Sequence, residues 1–148
     1  MEVIMSITGP ILSLWGGAAV LGRPIHSENE LIPLLRQGLP FSVLEHLMLV
    51  FSLTREETSK VLNLPVRTLN RRKQENRLAA DESDRLYRLS RILAHCETVL
   101  GSPNKASQWL RRPNRTLNGA MPLMLLDTDI GANQVDDVLG RLEHGVFS

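Results

Sequence analysis

The chain has 148 residues, a formal net charge of +1, 43% apolar residues and 4% aromatic residues. This length suits one domain of ordinary size or two very small ones, and a leucine-rich composition with few aromatics favours helix over sheet. Cys96 is the single cysteine, which excludes an intrachain disulfide and favours a cytoplasmic setting. The composition therefore predicts an all-α protein made of several short helices around a hydrophobic core.

Charge is distributed unevenly along the chain. Residues 67–77 hold five basic residues and one acid, a net charge of +4, whereas residues 127–148 hold five acids and one base, a net charge of −4. Two segments of opposite charge indicate two different binding partners.

The N-terminal segment carries no charge from Val3 to Gly22, over 20 residues, which nominally meets the length that a membrane span needs. Pro10 and four glycines interrupt this stretch, and Glu2 stands where a secretory signal would carry a basic residue. We therefore expect neither membrane insertion nor export. Residues 1–37 are predicted to form a loose leader and helices, one of them near 11–21, and to offer a candidate dimer contact.

The central region, residues 38–101, is predicted to contain a helix-turn-helix. Thr54 and Glu57 are spaced as a capping box, in which each side chain satisfies a free amide at the start of a helix. Asn63 can adopt the left-handed conformation that closes a helix, and Pro65 costs no hydrogen bond at the first position of the next helix. A small residue, a turn former and two apolar anchors have the spacing of the motif: Ser59, Asn63, Leu64 and Leu69.

The second helix of this motif carries most of the positive segment. In a helix-turn-helix the N-terminal residues of this helix reach base edges in the major groove, where Arg pairs with guanine and Asn with adenine, and a trailing basic cluster neutralises phosphates. A solvated basic helix face would be enough to explain the charge by itself. The charge and the turn spacing together favour DNA binding. The predicted DNA-binding residues are Val66, Arg67, Thr68, Asn70, Arg71, Arg72 and Lys73.

One helix-turn-helix covers too little DNA for tight binding, so we expect a homodimer on an inverted repeat. The N-terminal helix and the apolar face near residues 44–51 are both candidates for the dimer contact, and the sequence does not choose between them. Operator DNA and a second copy of the chain are thus the partners predicted for the central region.

The C-terminal region, residues 102–148, is predicted to be a small helical domain. It follows the longest predicted helix, over 81–100, whose apolar stripe includes Cys96 as a core residue. The predicted caps and stops of its helices are Asn104, Pro113, Asp127 or Thr128, and Gly145.

Residue patterns typical of catalysis or metal binding do not stand out. The four histidines lie far apart without the paired spacing of a zinc site, and neither a glycine-rich phosphate loop nor a Ser, His and acid grouping can be identified. Asp136 and Asp137 are adjacent on a helix, so they point about 100° apart and are poorly placed for acid/base catalysis. We therefore predict a protein that is not an enzyme and needs no metal or cofactor.

Two stretches of the sequence resemble the Xre/MbcA/ParS antitoxin family. The first is Arg67-Thr68-Leu69-Asn70-Arg71-Arg72-Lys73, followed by Leu78 and by Glu82-Ser83-Asp84-Arg85-Leu86-Tyr87-Arg88-Leu89. The second, in the tail, consists of Trp109-Leu110, Pro113-Asn114-Arg115, Pro122-Leu123, Leu126-Asp127-Thr128, Gly131, Leu139-Gly140-Arg141 and Glu143-His144-Gly145-Val146-Phe147. Together they run from about Gly38 to Ser148, and the first 37 residues carry no such match.

The resemblance implies a bacterial type II antitoxin encoded beside a toxin with a RES domain, which degrades NAD or transfers its ADP-ribose. It further implies that the C-terminal region covers the toxin's active site and that the complex represses its own promoter. A pocket that attracts the NAD pyrophosphate should be basic, so the acidic last helix and the chain end suit it. The toxin-binding residues expected on this basis are Asp136, Asp137, Leu139, Arg141, Glu143, His144, Gly145, Val146 and Phe147.

Two other interpretations stay open at this point. The chain could be a stand-alone helix-turn-helix transcriptional repressor whose tail senses a small ligand or only dimerises. It could also be a protein inhibitor whose helix-turn-helix has lost DNA binding. A neighbouring gene whose product is toxic without this chain would argue against the first, and a shift of the chain's own promoter fragment would argue against the second.

Overall fold

A computed structural model describes residues 2–145, with side chains from residue 8 onward. Within that range nine α-helices follow one another, and the short 3-10 helices Arg115–Leu117 and Pro122–Leu125 lie between the last two. The predicted all-α fold is confirmed. The α-helices are α1 Glu2–Leu14, α2 Gly17–Leu21, α3 Glu28–Gln37, α4 Phe41–Phe51, α5 Arg55–Leu62, α6 Val66–Glu75, α7 Ala80–Leu100, α8 Pro103–Leu110 and α9 Asp129–Glu143.

The longest helix, α7, is the central element of the fold. It has 21 residues, and α1, α3, α5, α8 and α9 all pack against it. Leu86, Leu93 and Cys96 lie on its buried side. Burial raises the pKa of the Cys96 thiol to about 12, so Cys96 is an inert core residue, as the apolar stripe predicts.

The N-terminal segment differs from the single helix predicted near residues 11–21. α1 already begins at Glu2 and continues through Pro10, and the chain then leaves the helix before α2 begins. The break has a physical reason: Gly16 and Gly17 have φ angles of 93° and 68°, which only glycine adopts at low cost. No described helix is long and apolar enough to cross a membrane.

Apolar side chains at the end of α1 and directly after it pack inside the chain. Ile11, Leu14 and Trp15 are buried, and the indole N–H of Trp15 donates to Ser90 Oγ on α7 at 2.7 Å. These three side chains belong to the same core as α7.

The helices α4, α5 and α6 form the unit that the central sequence pattern predicts. The capping box is confirmed, because Thr54 Oγ1 accepts from the Glu57 amide and Glu57 Oε1 accepts from the Thr54 amide, each at 3.0 Å. Asn63 ends α5 with a left-handed φ of 53°. α6 begins at Val66, one residue later than predicted, with Pro65 just before it.

The C-terminal region returns along α7 through α8, the two 3-10 helices and α9. Ser102 caps α8, because its Oγ accepts from the Lys105 amide at 3.1 Å; the predicted cap, Asn104, lies inside the first turn instead. Thr128 caps α9 by accepting from the Gly131 amide at 3.0 Å. The apolar face of α9 is buried, as its spacing predicts.

Candidate functional site

The turn between α5 and α6 has the geometry of a helix-turn-helix. The Leu64 amide donates to the Ser59 carbonyl oxygen at 3.0 Å, and the Ser59 hydroxyl donates back to the Leu64 carbonyl oxygen. Leu64 and Leu69 are buried, so they anchor the second helix against the first. A small residue at position 59 allows this close approach, as the sequence indicates.

The second helix, α6, presents a polar and mostly basic face to solvent. Arg67 and Arg71 are one helical turn apart, so their guanidinium groups lie on the same side of α6 and can enter one groove of DNA. Of the residues predicted to bind DNA, those exposed are Arg67, Asn70, Arg71 and Lys73, and those partly buried are Val66, Thr68 and Arg72.

Arg72, one of the residues predicted to bind DNA, is partly buried and is paired within the fold. Its guanidinium donates to both carboxylate oxygens of Glu82 on α7, at 2.7 and 2.9 Å. Burial alone would raise the pKa of Glu82, whose side chain is only 6% exposed, but the hydrogen bonds from Arg72 and from the Ala79 amide lower it. This bidentate ion pair fixes α6 against α7, because both partners have a defined orientation.

A further cation lies beside α6 that the sequence did not single out. Arg55, the first residue of α5, donates to Asn70 Oδ1. Glu56 and Glu57 follow it directly, so a charge count along the chain cancels it. On the other side, Lys73 Nζ lies 3.5 Å from a carboxylate oxygen of Glu45, and both side chains are about half exposed. Such an exposed pair is weak, so Lys73 can exchange its partner for a phosphate.

On α9, two of the predicted toxin-binding acids meet at one imidazole. His95 Nδ1 on α7 lies 2.7 Å from Asp136 Oδ1, and His95 Nε2 lies 3.0 Å from Glu143 Oε1. Burial alone would lower the pKa of His95, but the hydrogen bonds to the two carboxylates raise it. Among the described side chains no group of histidines, cysteines and acids is arranged to hold a metal ion.

The other residues predicted to bind a toxin differ in their exposure to solvent. Leu139 is fully buried, contrary to a role at the surface, because it shares the apolar face of α9 that packs on the core. Val146 and Phe147 lie outside the described residues. Exposed on α9 or directly after it are Asp137, Arg141, His144 and Gly145.

The helix-turn-helix touches the C-terminal region at its turn. Asn63 Nδ2 donates to the Asp127 carbonyl oxygen at 2.9 Å, one residue before the cap of α9. Arg85 on α7 donates to the Leu62 carbonyl oxygen at 2.7 Å and so holds the end of α5. The surfaces on α6 and α9 are thus joined through this turn and through α7.

Comparison with known protein families identifies both regions. Residues 30–91 match the antitoxin Xre-like helix-turn-helix domain. Residues 95–145 match the antitoxin Xre/MbcA/ParS C-terminal toxin-binding domain. The first match contains α5 and α6, and the second begins at His95 and contains α9.

Similar proteins carry corresponding names. An Antitoxin Xre of Photorhabdus laumondii is 32% identical over 130 residues, which cover 86% of this chain and 88% of that protein. An Antitoxin Xre of Yersinia enterocolitica is 33% identical with the same coverage of both chains. A Sphingobium protein named Prs ADP-ribosylating antitoxin is 26% identical over 132 residues, 82% of this chain and 83% of that protein. The chain therefore belongs to the Xre/MbcA/ParS family of antitoxins, with an Xre-like helix-turn-helix domain and a C-terminal toxin-binding domain.

Proposed function

We propose that this chain is a non-enzymatic, cytoplasmic inhibitor of a RES-domain toxin that consumes NAD, and that it represses its own operon by binding operator DNA as a homodimer. The observation that carries the proposal is the toxin-binding domain matched at 95–145, joined to a helix-turn-helix with a basic exposed face. In this division residues 38–101 bind DNA and residues 102–148 cover the toxin's active site, with residues 1–37 preceding both.

Charge complementarity supports the choice of a toxin that binds NAD. A site that holds the pyrophosphate of NAD needs positive charge, and the exposed acids of α9 offer the opposite sign. The name of the Sphingobium relative refers to ADP-ribosylation, a reaction that takes ADP-ribose from NAD. The toxin-facing surface that we propose consists of Asp136, Asp137, Arg141, Glu143, His144, Gly145, Val146 and Phe147.

The exposed face of α6 supports the DNA-binding half of the proposal. Arg67, Asn70 and Arg71 are placed to reach base edges, since they lie on the outer side of the second helix. Lys73 flanks this face and is placed to neutralise a phosphate. Val66 and Thr68 lie in the first turn of α6 and are partly buried.

For the homodimer we propose a groove on α4. It has a volume of about 420 Å³ and is lined mainly by apolar side chains that include Phe41, Met48 and Leu53. Leu49, at its edge, is 78% exposed. An exposed leucine beside an apolar groove is self-complementary, because a two-fold interface sets the same patch of both copies together. Sedimentation should show that Leu49→Glu is monomeric, whereas Ile130→Glu, which changes another exposed apolar residue, should stay dimeric.

Co-expression tests the toxin half. A neighbouring gene product that stops growth alone should become harmless when the full chain is co-expressed, and the two proteins should copurify. Asp137→Lys should weaken that complex at low salt, because it reverses a charge on the exposed side of α9. Glu56→Lys, which reverses an exposed acid on α5, should leave the complex unchanged. Equal affinity of Asp137→Lys and the wild type would contradict the proposed toxin-facing surface.

A gel shift tests the DNA half. The purified chain should retard a fragment of its own promoter at moderate salt, and the toxin complex should do so as well. Failure to shift any promoter fragment would favour an inhibitor without DNA binding. If the chain shifts its promoter fragment but no neighbouring gene encodes a toxic product, a stand-alone repressor would be favoured.

A further inference from the structure

We propose that His95 is a positioning residue for toxin binding: from α7 it holds the Asp136 and Glu143 carboxylates of α9 in the orientation in which the toxin meets them, and it does so only as the imidazolium. This inference rests on the proposed toxin-binding role of α9. It adds that the affinity for the toxin depends on the protonation of one residue that the toxin does not need to touch.

His95 contacts α9 at two places. Asp136 and Glu143 are seven residues apart, which is two helical turns, so they lie on the same face of α9. One imidazole reaches both, at 2.7 Å from Asp136 Oδ1 and 3.0 Å from Glu143 Oε1. The apolar face of α9 fixes the helix on the core, and the two contacts with His95 hold both carboxylates against α7.

The protonation state follows from the partners. An ionised carboxylate only accepts hydrogen bonds, and both ring nitrogens face one, so both must donate. A neutral imidazole has a single N–H, and its other nitrogen would turn a lone pair towards a carboxylate. His95 and the two acids line a cleft between α1, α7 and α9, where the other charged group is Arg91 on α7 and α1 contributes the uncharged Pro10 and Ile11. Loss of the proton therefore releases one of the two acids.

The carboxylates remain available to a partner while His95 holds them. The hydrogen bonds use Oδ1 and Oε1, so the second oxygen of each acid can accept from another donor. The side chains of Asp136 and Glu143 are 44% and 42% exposed, whereas His95, behind them, is 24% exposed. If they were not held, the toxin would have to order both acids on binding, which would weaken binding by roughly two- to tenfold for each side chain.

The test compares the full chain with His95→Gln in binding to the partner toxin at about pH 6 and about pH 8.5, on either side of the histidine range. The variant should bind roughly tenfold more weakly than the wild type at the lower pH, and the two should bind nearly alike at the higher pH. His26→Gln, which changes an exposed histidine ahead of α3, should match the wild type at both. A variant that equals the wild type at both pH values, or is weaker by the same factor at both, would overturn the proposal.

An NMR titration of the His95 ring in the free chain gives a second test that needs no toxin. The ring should titrate with a pKa above the ordinary value of 6.5. Glu143→Gln should lower the pKa of His95, because it removes one of the two carboxylates. Titration at or below 6.5 would overturn the proposal. If the wild type binds no toxin at either pH, the proposed function fails and this inference fails with it. If the wild type binds and His95→Gln matches it, the inference alone fails.

Discussion

Arg111 of the toxin-binding domain donates to both carboxylate oxygens of Glu57, the residue that completes the capping box of α5. Nη2 lies 2.8 Å from Oε1 and Nε lies 3.0 Å from Oε2. The same guanidinium donates to the Ser52 carbonyl oxygen at 2.9 Å. One arginine therefore ties the end of α8 to the end of α4 and to the start of α5, a second contact between the toxin-binding domain and the helix-turn-helix besides that of Asn63 with Asp127.

Replacing this arginine should destabilise the whole fold. Arg111→Met removes the hydrogen bonds to Glu57 together with those to the Ser52 and Ser107 carbonyl oxygens. It leaves the partly buried Glu57 carboxylate without its main partner, so the free energy of unfolding should fall by about 2 kcal/mol. Urea denaturation followed by circular dichroism measures this. Arg112→Met is the matched control, because Arg112 is exposed and makes one long hydrogen bond, 3.4 Å to Gln108. Equal losses for the two variants would mean that the pair contributes no more than the removal of any surface arginine.

Acid should weaken the fold through the same pair. The hydrogen bonds from Arg111 are the main cause that lowers the pKa of Glu57 below 4.5, against an opposing contribution from burial. A carboxyl with a lowered folded pKa stabilises the protein above the unfolded pKa, and this contribution is lost as pH falls through the folded pKa. The free energy of unfolding should therefore decrease below about pH 4.5. In urea titrations at a series of pH values, Arg111→Met should show a shallower decrease, and Glu56→Gln should follow the wild type.

The helices were predictable because their signals are local. The capping box joins Thr54 to Glu57, and the left-handed Asn63 ends the same helix, so a few consecutive residues contain both the start and the stop. The N-terminal helix was predicted less well, since α1 begins at Glu2 in a stretch without capping signals. Its stability comes instead from burial against α7, including the hydrogen bond from Trp15 to Ser90, and no local pattern shows that.

Which charges stay free was not predictable, because it depends on contacts between helices. In the sequence Arg72 looks like its neighbours Arg71 and Lys73, yet Glu82 on the next helix pairs with it. His95 likewise gives no local signal, since its partners on α9 are 41 and 48 residues further along the chain. The net charge of a segment predicted which side of the fold would be basic or acidic, and tertiary packing decided which side chains a partner can reach.

The same substitution should therefore affect DNA binding at Arg71 and stability at Arg72. Arg71→Met should weaken operator binding by about 1–3 kcal/mol if Arg71 contacts bases, with little change in stability. Arg72→Met should instead lower the free energy of unfolding by about 2–3 kcal/mol, because it leaves the buried Glu82 carboxylate without its partner. Urea denaturation gives the stabilities, and fluorescence anisotropy with operator DNA gives the affinities and their salt dependence.

The salt dependence of DNA affinity separates a structural basic residue from one that contacts phosphate. Arg72→Met should leave the slope of log affinity against log salt unchanged for the folded protein, whereas Lys73→Ala should reduce it by about 1. A reduced slope for Arg72→Met at full folding would show that Arg72 leaves Glu82 to bind DNA.

Two glycines of α9 should respond with opposite signs to alanine. A Cβ at Gly131 would lie 2.0 Å from the Leu125 carbonyl oxygen, which belongs to the second 3-10 helix and cannot move without it. Gly131→Ala should therefore force α9 away from that helix and cost about 2 kcal/mol or more. A Cβ at Gly140 would meet nothing within 4 Å, so Gly140→Ala should stabilise the helix by about 0.5–1 kcal/mol, because alanine loses less backbone freedom on folding. Thermal unfolding compares the two, and an unchanged midpoint for Gly131→Ala would mean that α9 does not need this close approach.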